Sequence, residues 1–220
     1  MEGANADELP YVEMTRALVK VFPASGGEFQ IEPDASSGSY FWAATMFGHD
    51  VRVEHWPKSG WQIDAEFPKF QPLPKSISRQ RDLGDSIMTA IVLAPFAKLP
   101  TQFTALGRLR VQECERVAAL RTELAKCGAK VIEEGDTLTV YPSPLHGAEI
   151  ETYNDHRMAM CFAVLGLKVP GIRIRNSACV KKTFPNFFQK LAAPTPHGLG
   201  ATILDARTRQ SLSGDALFAD

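Results

Sequence analysis

The stretch Tyr153-Asn154-Asp155-His156-Arg157-Met158-Ala159-Met160 puts a histidine and an arginine where a helix should begin. Met158, Phe162 and Leu165 follow at helical spacing, so the basic pair falls in the first turn. The N-terminal end of a helix carries positive partial charge, and a cation there is disfavoured by about 0.3–1 kcal/mol. The free backbone N–H groups of the same turn form a natural anion site. A bound phosphate or carboxylate would offset the unfavourable placement of His156 and Arg157.

Basic residues recur at other helix starts. Lys181 and Lys182 precede a predicted helix FPNFFQKLAA, and Arg108 and Arg110 precede a predicted helix that carries Arg116. Each group alone is compatible with solvated surface charge. Their recurrence at equivalent points favours a shared anion-binding end. Gln112 and Glu113 stand four and three residues before Arg116, on one face of the expected helix. That grouping is either a surface ion pair or a carboxylate held among cations, suited to proton transfer to a bound anion. Asp34, Asp85 and Asp155 each head an apolar helical segment. Such an aspartate can cap the helix, and it can also turn an oxygen to a substrate hydroxyl.

The elements that would position these residues form a repeat. Segments beginning at Asp34, Asp85 and Asp155 each run through about ten small and apolar residues, a break, and a strand. The predicted strands are Val51-Arg52-Val53, Phe103-Thr104-Ala105-Leu106 and Ile172-Arg173-Ile174. A second helix follows over 111–128, with Val117, Leu120, Leu124 and Cys127 as its apolar stripe and Gly128 suited to its end. A hairpin over 130–141 comes next, turning at Glu134-Gly135-Asp136. In the third segment the second helix is introduced by Thr183, with Pro185 in its first turn. In the first it would be SGWQIDAEFPKF, where two nearby prolines and a glycine weaken the pattern. Residues 71–83 have room for a loop and one short strand. Residues 9–22 read as an amphipathic helix outside the repeat. The tail 194–220 reads either as flexible or as a short strand over 201–204 with a turn.

The 220 residues carry 24 Lys and Arg against 25 Asp and Glu, so any anion site is local and a general nucleic-acid or membrane-surface binder is excluded. Cys114, Cys127, Cys161 and Cys179 form no CxxC pair and read as reduced, buried thiols of a cytoplasmic protein. No histidine pair has metal-ligand spacing, and no apolar run approaches the ~18 residues needed to span a membrane.

YNDHRMAM, the CxxKTFPxFF pattern from Cys179 to Phe188, LRVQECERVAALRTELAKCGAKV and PDASSGSYF together resemble the 5-enolpyruvylshikimate-3-phosphate synthase family, in order from about Pro10 to Leu191. The resemblance implies an α/β (α+β) fold of repeated βαβαββ units, about three of them here with the first shortened. It divides the chain into a remnant of a first domain (1–28, its last helix), a second enolpyruvyl transferase domain (29–193) and a tail (194–220). The sister family acting on UDP-N-acetylglucosamine shares the fold but not this motif set.

The implied reaction joins phosphoenolpyruvate to shikimate-3-phosphate in an interdomain cleft, with no cofactor or metal. The shikimate 5-hydroxyl attacks C2 of the enol as its methylene is protonated. The tetrahedral ketal phosphate then loses phosphate to leave the enol ether. By motif match, Asp85 would accept shikimate hydroxyls and help remove the 5-OH proton, and Glu113 would exchange a proton with the methylene carbon. Arg116, Arg157 and Lys182 would clamp the phosphoenolpyruvate carboxylate and phosphate. His156 would support them by hydrogen bonding, and Tyr11 would pack near the shikimate phosphate.

Two departures stand out. Most of the family's first domain has no counterpart, so the chain is expected to need a partner domain and to turn over nothing alone. The family usually reads LRVKE where this chain has Leu109-Arg110-Val111-Gln112-Glu113, so Gln112 replaces a substrate-binding lysine and Arg108 is the nearest compensating cation. The competing expectation is a diverged, non-catalytic module that binds an anion or a protein partner.

Overall fold

Residues 8–220 are described by a computed structural model of mixed α/β architecture; residues 1–7, the start of the 1–28 segment, lie outside the described residues. Two buried helices form its centre. Helix α3 (Ile87–Leu93) is IMTAIVL, apolar all round, and every one of its residues is buried. Helix α5 (His156–Gly166) buries Met158 through Leu165 and packs on α3. A helix without a polar face is stable in water only when surrounded, and α2 (Ala35–Ala43) and α4 (Arg116–Lys126) supply that surround.

A four-stranded sheet covers one side in the order β1-β2-β4-β3. Strand β1 (Ser76–Ser78) runs parallel to β2 (Thr101–Thr104), with Ile77 opposite Phe103. Strands β3 (Val131–Glu134) and β4 (Thr137–Val140) make the expected hairpin, and β4 returns antiparallel to β2. Ile77, Phe103, Leu138 and Val140 are fully buried, so alternate residues of these strands meet the helices. A second sheet pairs β5 (Glu149–Ile150) with β6 (Arg173–Ile174) in parallel.

Several expected elements differ from those observed. Val51–Arg52–Val53 joins no sheet: alternation suits a strand, but a strand also needs a paired neighbour, and none of the described strands pairs with it. The helix expected over 111–128 begins at Arg116, because the chain first makes a 3-10 turn, Gly107–Val111, and a break at Gln112. Its stripe and its end agree: Val117, Leu120, Leu124 and Cys127 are buried, and Gly128 follows at φ +93°. Helix α6 (Phe187–Ala192) also starts late, because Lys181 and Lys182 close a separate 3-10 turn, Ser177–Lys182. The uncertain segment after Trp61 is a 3-10 helix, Ile63–Phe70, with Pro68 inside it.

Helix α1 (Leu9–Val21) forms as expected. The tail makes a single bridge between Leu204 and Ser211 and a 3-10 turn, Gly214–Leu217. Leu199, Leu217 and Ala219 are buried, and the Ala219 N–H donates to Pro185 O at 2.9 Å. The four cysteines are unpaired, and burial pushes the thiols of Cys127 and Cys161 up to about 11 and about 12. Among the described residues no helix is long and apolar enough to cross a membrane.

Candidate active site

The starts of α3, α4 and α5 meet around Asp155 and Asp85. Asp155 is fully buried and caps α5, accepting the Arg157 N–H at 2.8 Å. The same carboxylate accepts Arg116 Nε at 2.7 Å and Arg116 Nη2 at 3.3 Å. Burial by itself would raise its pKa, but the Arg116 hydrogen bond and charge outweigh this and hold the carboxyl below its usual range. One aspartate thus starts a helix and fixes an arginine. The left-handed pair Tyr153 and Asn154 leads the chain into it, at φ +53° and +56°. Buried Glu123 steadies that turn, accepting the Tyr153 hydroxyl at 2.8 Å and the Glu151 N–H at 3.1 Å.

Asp85 does not cap α3, in contrast to the sequence expectation. Its carboxylate lies among three guanidinium groups: Arg79 at 3.0 Å, Arg157 at 3.4 Å and Arg116 at 3.9 Å. Burial pushes its pKa up, yet the charges of Arg157, Arg79 and Arg116 together win and leave it lowered. Arg157 also donates to Ser36 Oγ at 2.6 Å, which ties α5 to the start of α2. Two acids and three arginines therefore share one largely dry space, where opposite charges interact more strongly than in water. Ionised Asp85 can accept hydrogen bonds from hydroxyl groups, and Arg157 pairs with it in the same space.

Arg116 is 2% exposed, and among the described residues it pairs with Asp85 and Asp155 and not with Glu113, so the surface-pair alternative does not hold. The late start of α4 puts Gln112 and Glu113 before the helix, off its face. Gln112 Oε1 still reaches Arg116 Nη1 at 2.5 Å. Glu113 turns the other way and pairs with Lys182 Nζ at 2.5 Å. That hydrogen bond is the main reason the Glu113 carboxyl is lowered. His156 sits between the two clusters, its Nδ1 4.0 Å from Asp155 and without a hydrogen-bond partner. Burial first and the Arg157 charge second lower its pKa, so the ring is neutral at pH 7.

Tyr11, from α1, reaches the same place. Its hydroxyl accepts the Asp85 N–H at 2.9 Å and donates to Asp64 at 3.1 Å. Burial, then the charges of Asp64 and Asp85, raise its pKa and keep the phenol protonated. Arg108 is placed differently: it pairs with Glu8 at 3.0 Å, and Glu8 also pairs with Arg79. Arg110 leaves the site altogether, held by Glu115 at the start of α4 and by Glu133 and Asp136 at the hairpin.

The structure thus brings Asp85, Arg116, Arg157 and Tyr11 into one cluster, joins Gln112 to it, and sets Glu113, Lys182 and His156 alongside. Sequence reasoning missed Arg79, Asp64, Ser36 and Glu123. Arg79 directly follows β1, and a cation at a strand end near Asp85 is a usable signal. Asp64, Ser36 and Glu123 carry no local mark of a place in the site, since the contacts that tie them to it reach 22 or more residues away, and the one local pair, Glu123 with Lys126, reads as an ordinary helix-surface ion pair.

The family model for EPSP synthase (3-phosphoshikimate 1-carboxyvinyltransferase) matches residues 75–191. A 3-phosphoshikimate 1-carboxyvinyltransferase of Nostoc punctiforme is 38% identical over 83% of this chain and 52% of its own length. That of Rhizobium etli is 37% identical over 87% of this chain and 52% of its own length, and that of Pseudomonas syringae pv. syringae 42% over 88% and 53%. An EPSP synthase structure from Acinetobacter baumannii superposes with a TM-score of 0.56 at 23% identity, covering 76% of this chain and 48% of that one, a likeness of fold. The chain spans about half the length of the curated relatives it matches.

Proposed function

The chain belongs to the EPSP synthase family, and from that premise we propose that it forms one wall of an enolpyruvyl transferase cleft. The substrates are phosphoenolpyruvate and shikimate-3-phosphate, charged metabolites that suit a cytosolic enzyme. The other wall is a first domain, in the same chain or supplied separately. The observation that carries this reading is the convergence of Asp85, Arg116 and Arg157, with Glu113 and Lys182 beside them.

In this reading Asp85 accepts shikimate hydroxyls and draws the proton from the 5-OH as its oxygen attacks C2 of phosphoenolpyruvate. Glu113, in its protonated form once Lys182 turns to the substrate, delivers a proton to the methylene carbon and takes one back when phosphate leaves. The 5-OH proton held by Asp85 passes to the departing phosphate, so proton and charge balance over the two steps. Arg157 and Lys182 hold the phosphoenolpyruvate anion, and Arg116 adds fixed positive charge from beneath. Neutral His156, whose Nδ1 has no hydrogen-bond partner among the described residues, would hydrogen-bond the bound substrate at the junction. Tyr11 fixes the Asp85 backbone and closes the shikimate side. Residues 29–193 act as the transferase domain, and 1–28 carry its link to the other half.

Gln112 favours a second reading, a diverged binding module. It accepts a hydrogen bond from Arg116 and lacks the charge of the usual lysine. One experiment separates the two. The chain is mixed with the separately produced first half of the Nostoc punctiforme relative, and phosphate release from both substrates is followed. The transferase reading expects release from the mixture and none from the chain alone. No release, even with Gln112→Lys and with binding of the two halves verified, would favour the diverged module.

A further inference from the structure

Asp64 lies on the 3-10 helix Ile63–Phe70, and nothing in the motif match assigns it a role. It is 3% exposed and both of its oxygens are used. Oδ1 accepts the Ser86 N–H at 2.8 Å. Oδ2 accepts the Tyr11 hydroxyl at 3.1 Å, and that hydroxyl accepts the Asp85 N–H at 2.9 Å. Two consecutive amides, Asp85 and Ser86, are therefore tied to one buried carboxyl group, one directly and one through a phenol. Gly84 leaves space for the arrangement, because a Cβ there would stand 2.1 Å from the Tyr11 hydroxyl and 2.8 Å from Asp64 Oδ2.

These bonds fix where the Asp85 side chain leaves the backbone. Its carboxylate then meets Arg79, Arg157 and Arg116, with Asp155 behind Arg116. The three arginines come from three different segments, so a small displacement of the Asp85 backbone would favour one of them over the others.

We propose that Asp64 is a positioning residue, which acts through Tyr11 and the Ser86 amide to hold the Asp85 carboxylate at the meeting point of the three arginines. Its consequence for substrate rests on the proposed function, in which Asp85 binds the shikimate hydroxyls. Burial raises the pKa of Asp64, so it can keep its acceptor at the Ser86 N–H whether or not it is ionised.

The test is the titration midpoint of the Asp85 carboxyl, followed by carbon-detected NMR of the whole chain in Asp64→Asn, Asp64→Ala and Tyr11→Phe variants. Asp64→Asn removes the charge but keeps a carbonyl acceptor for the Ser86 amide. Asp64→Ala removes both, and Tyr11→Phe cuts only the bridge to the Asp85 amide. Positioning predicts that Asp85 titrates about half a unit or more higher in Asp64→Ala than in Asp64→Asn, with Tyr11→Phe raised above the wild type, which carries the same Asp64 charge. It also predicts faster hydrogen exchange at the Asp85 amide in Asp64→Ala and Tyr11→Phe. Equal midpoints in Asp64→Ala and Asp64→Asn would overturn the proposal, since loss of charge alone acts equally in both. If Asp64→Ala does not fold, Tyr11→Phe against the wild type gives the comparison at constant Asp64 charge, and equal midpoints there would overturn the proposal. Adding shikimate-3-phosphate separates this inference from the functional reading. Binding about tenfold weaker in Asp64→Ala than in Asp64→Asn is expected. Separated midpoints with no binding in any protein, wild type included and with the partner half present, would overturn the substrate reading and uphold the positioning role.

Discussion

The charged residues at the start of α5 fall into two clusters built in opposite ways. Arg116, Asp155, Arg157 and Asp85 are mostly buried and cross-linked, and each makes at least two polar contacts. Among the described residues Glu113 and Lys182 form a side-chain ion pair with each other alone, and their side chains are 34% and 56% exposed. The difference follows from what surrounds them. The first cluster is enclosed by α2, α3 and α5, where water cannot screen a charge and every charge needs a partner. The second projects from a break and a 3-10 turn, where water does that work. The buried cluster is preorganised to hold charge in place, and the exposed pair is free to open toward a ligand.

Breaking the buried cluster should have the largest effect. Arg116→Ala leaves Asp155 buried without its main partner and should cost about 3–5 kcal/mol of unfolding free energy, measured by urea denaturation. Gly84→Ala should come next, at about 1–3 kcal/mol, because its Cβ would collide with the Tyr11 hydroxyl and Asp64. Its effect should spread to the Asp85 and Ser86 amide signals while leaving those of Glu113 and Lys182 unchanged.

The acid limb sharpens the same contrast. Asp85 and Asp155 have lowered pKa values in the folded protein. The stability they contribute is fully present above their unfolded pKa of about 3.9 and is lost as pH falls through the lower folded values. Asp85→Asn should therefore reduce stability at pH 7 and flatten the pH dependence below pH 4, as read from urea midpoints. His156 is also lowered from 6.5, so its share is present above about pH 6.5 and lost as pH falls through its folded value. The smallest effect belongs to the exposed pair. Lys182→Ala should change stability by about 0.2–1 kcal/mol at most, and added salt should shrink that further.

Much of this was legible before the fold. The helix from His156, the stripe of α4 and the hairpin all follow from periodicity, capping and turn residues, which act within a few positions. Asp155 was readable as a cap for the same reason. That it also grips Arg116, 39 residues away, was not. Asp85 looked like a second cap, but three arginines from separate segments draw its carboxylate elsewhere. The strand expected at Val51 failed because pairing needs a neighbour that alternation cannot reveal. Glu113 and Arg116 looked adjacent only while α4 was assumed to begin at Val111. The motif resemblance named residues that the structure brings close together, and the partners that hold them are visible only where distant segments meet.

The most direct test of the central claim is titration of the isotope-labelled chain with phosphoenolpyruvate and shikimate-3-phosphate, in the presence of a relative's first half, with the amide signals of Glu113, His156 and Arg157 followed. The account predicts saturable shifts at these three residues, with Lys182→Ala weakening the phosphoenolpyruvate response while the fold is retained. Unchanged signals at all three, or shifts confined to surfaces away from the start of α5, would contradict it.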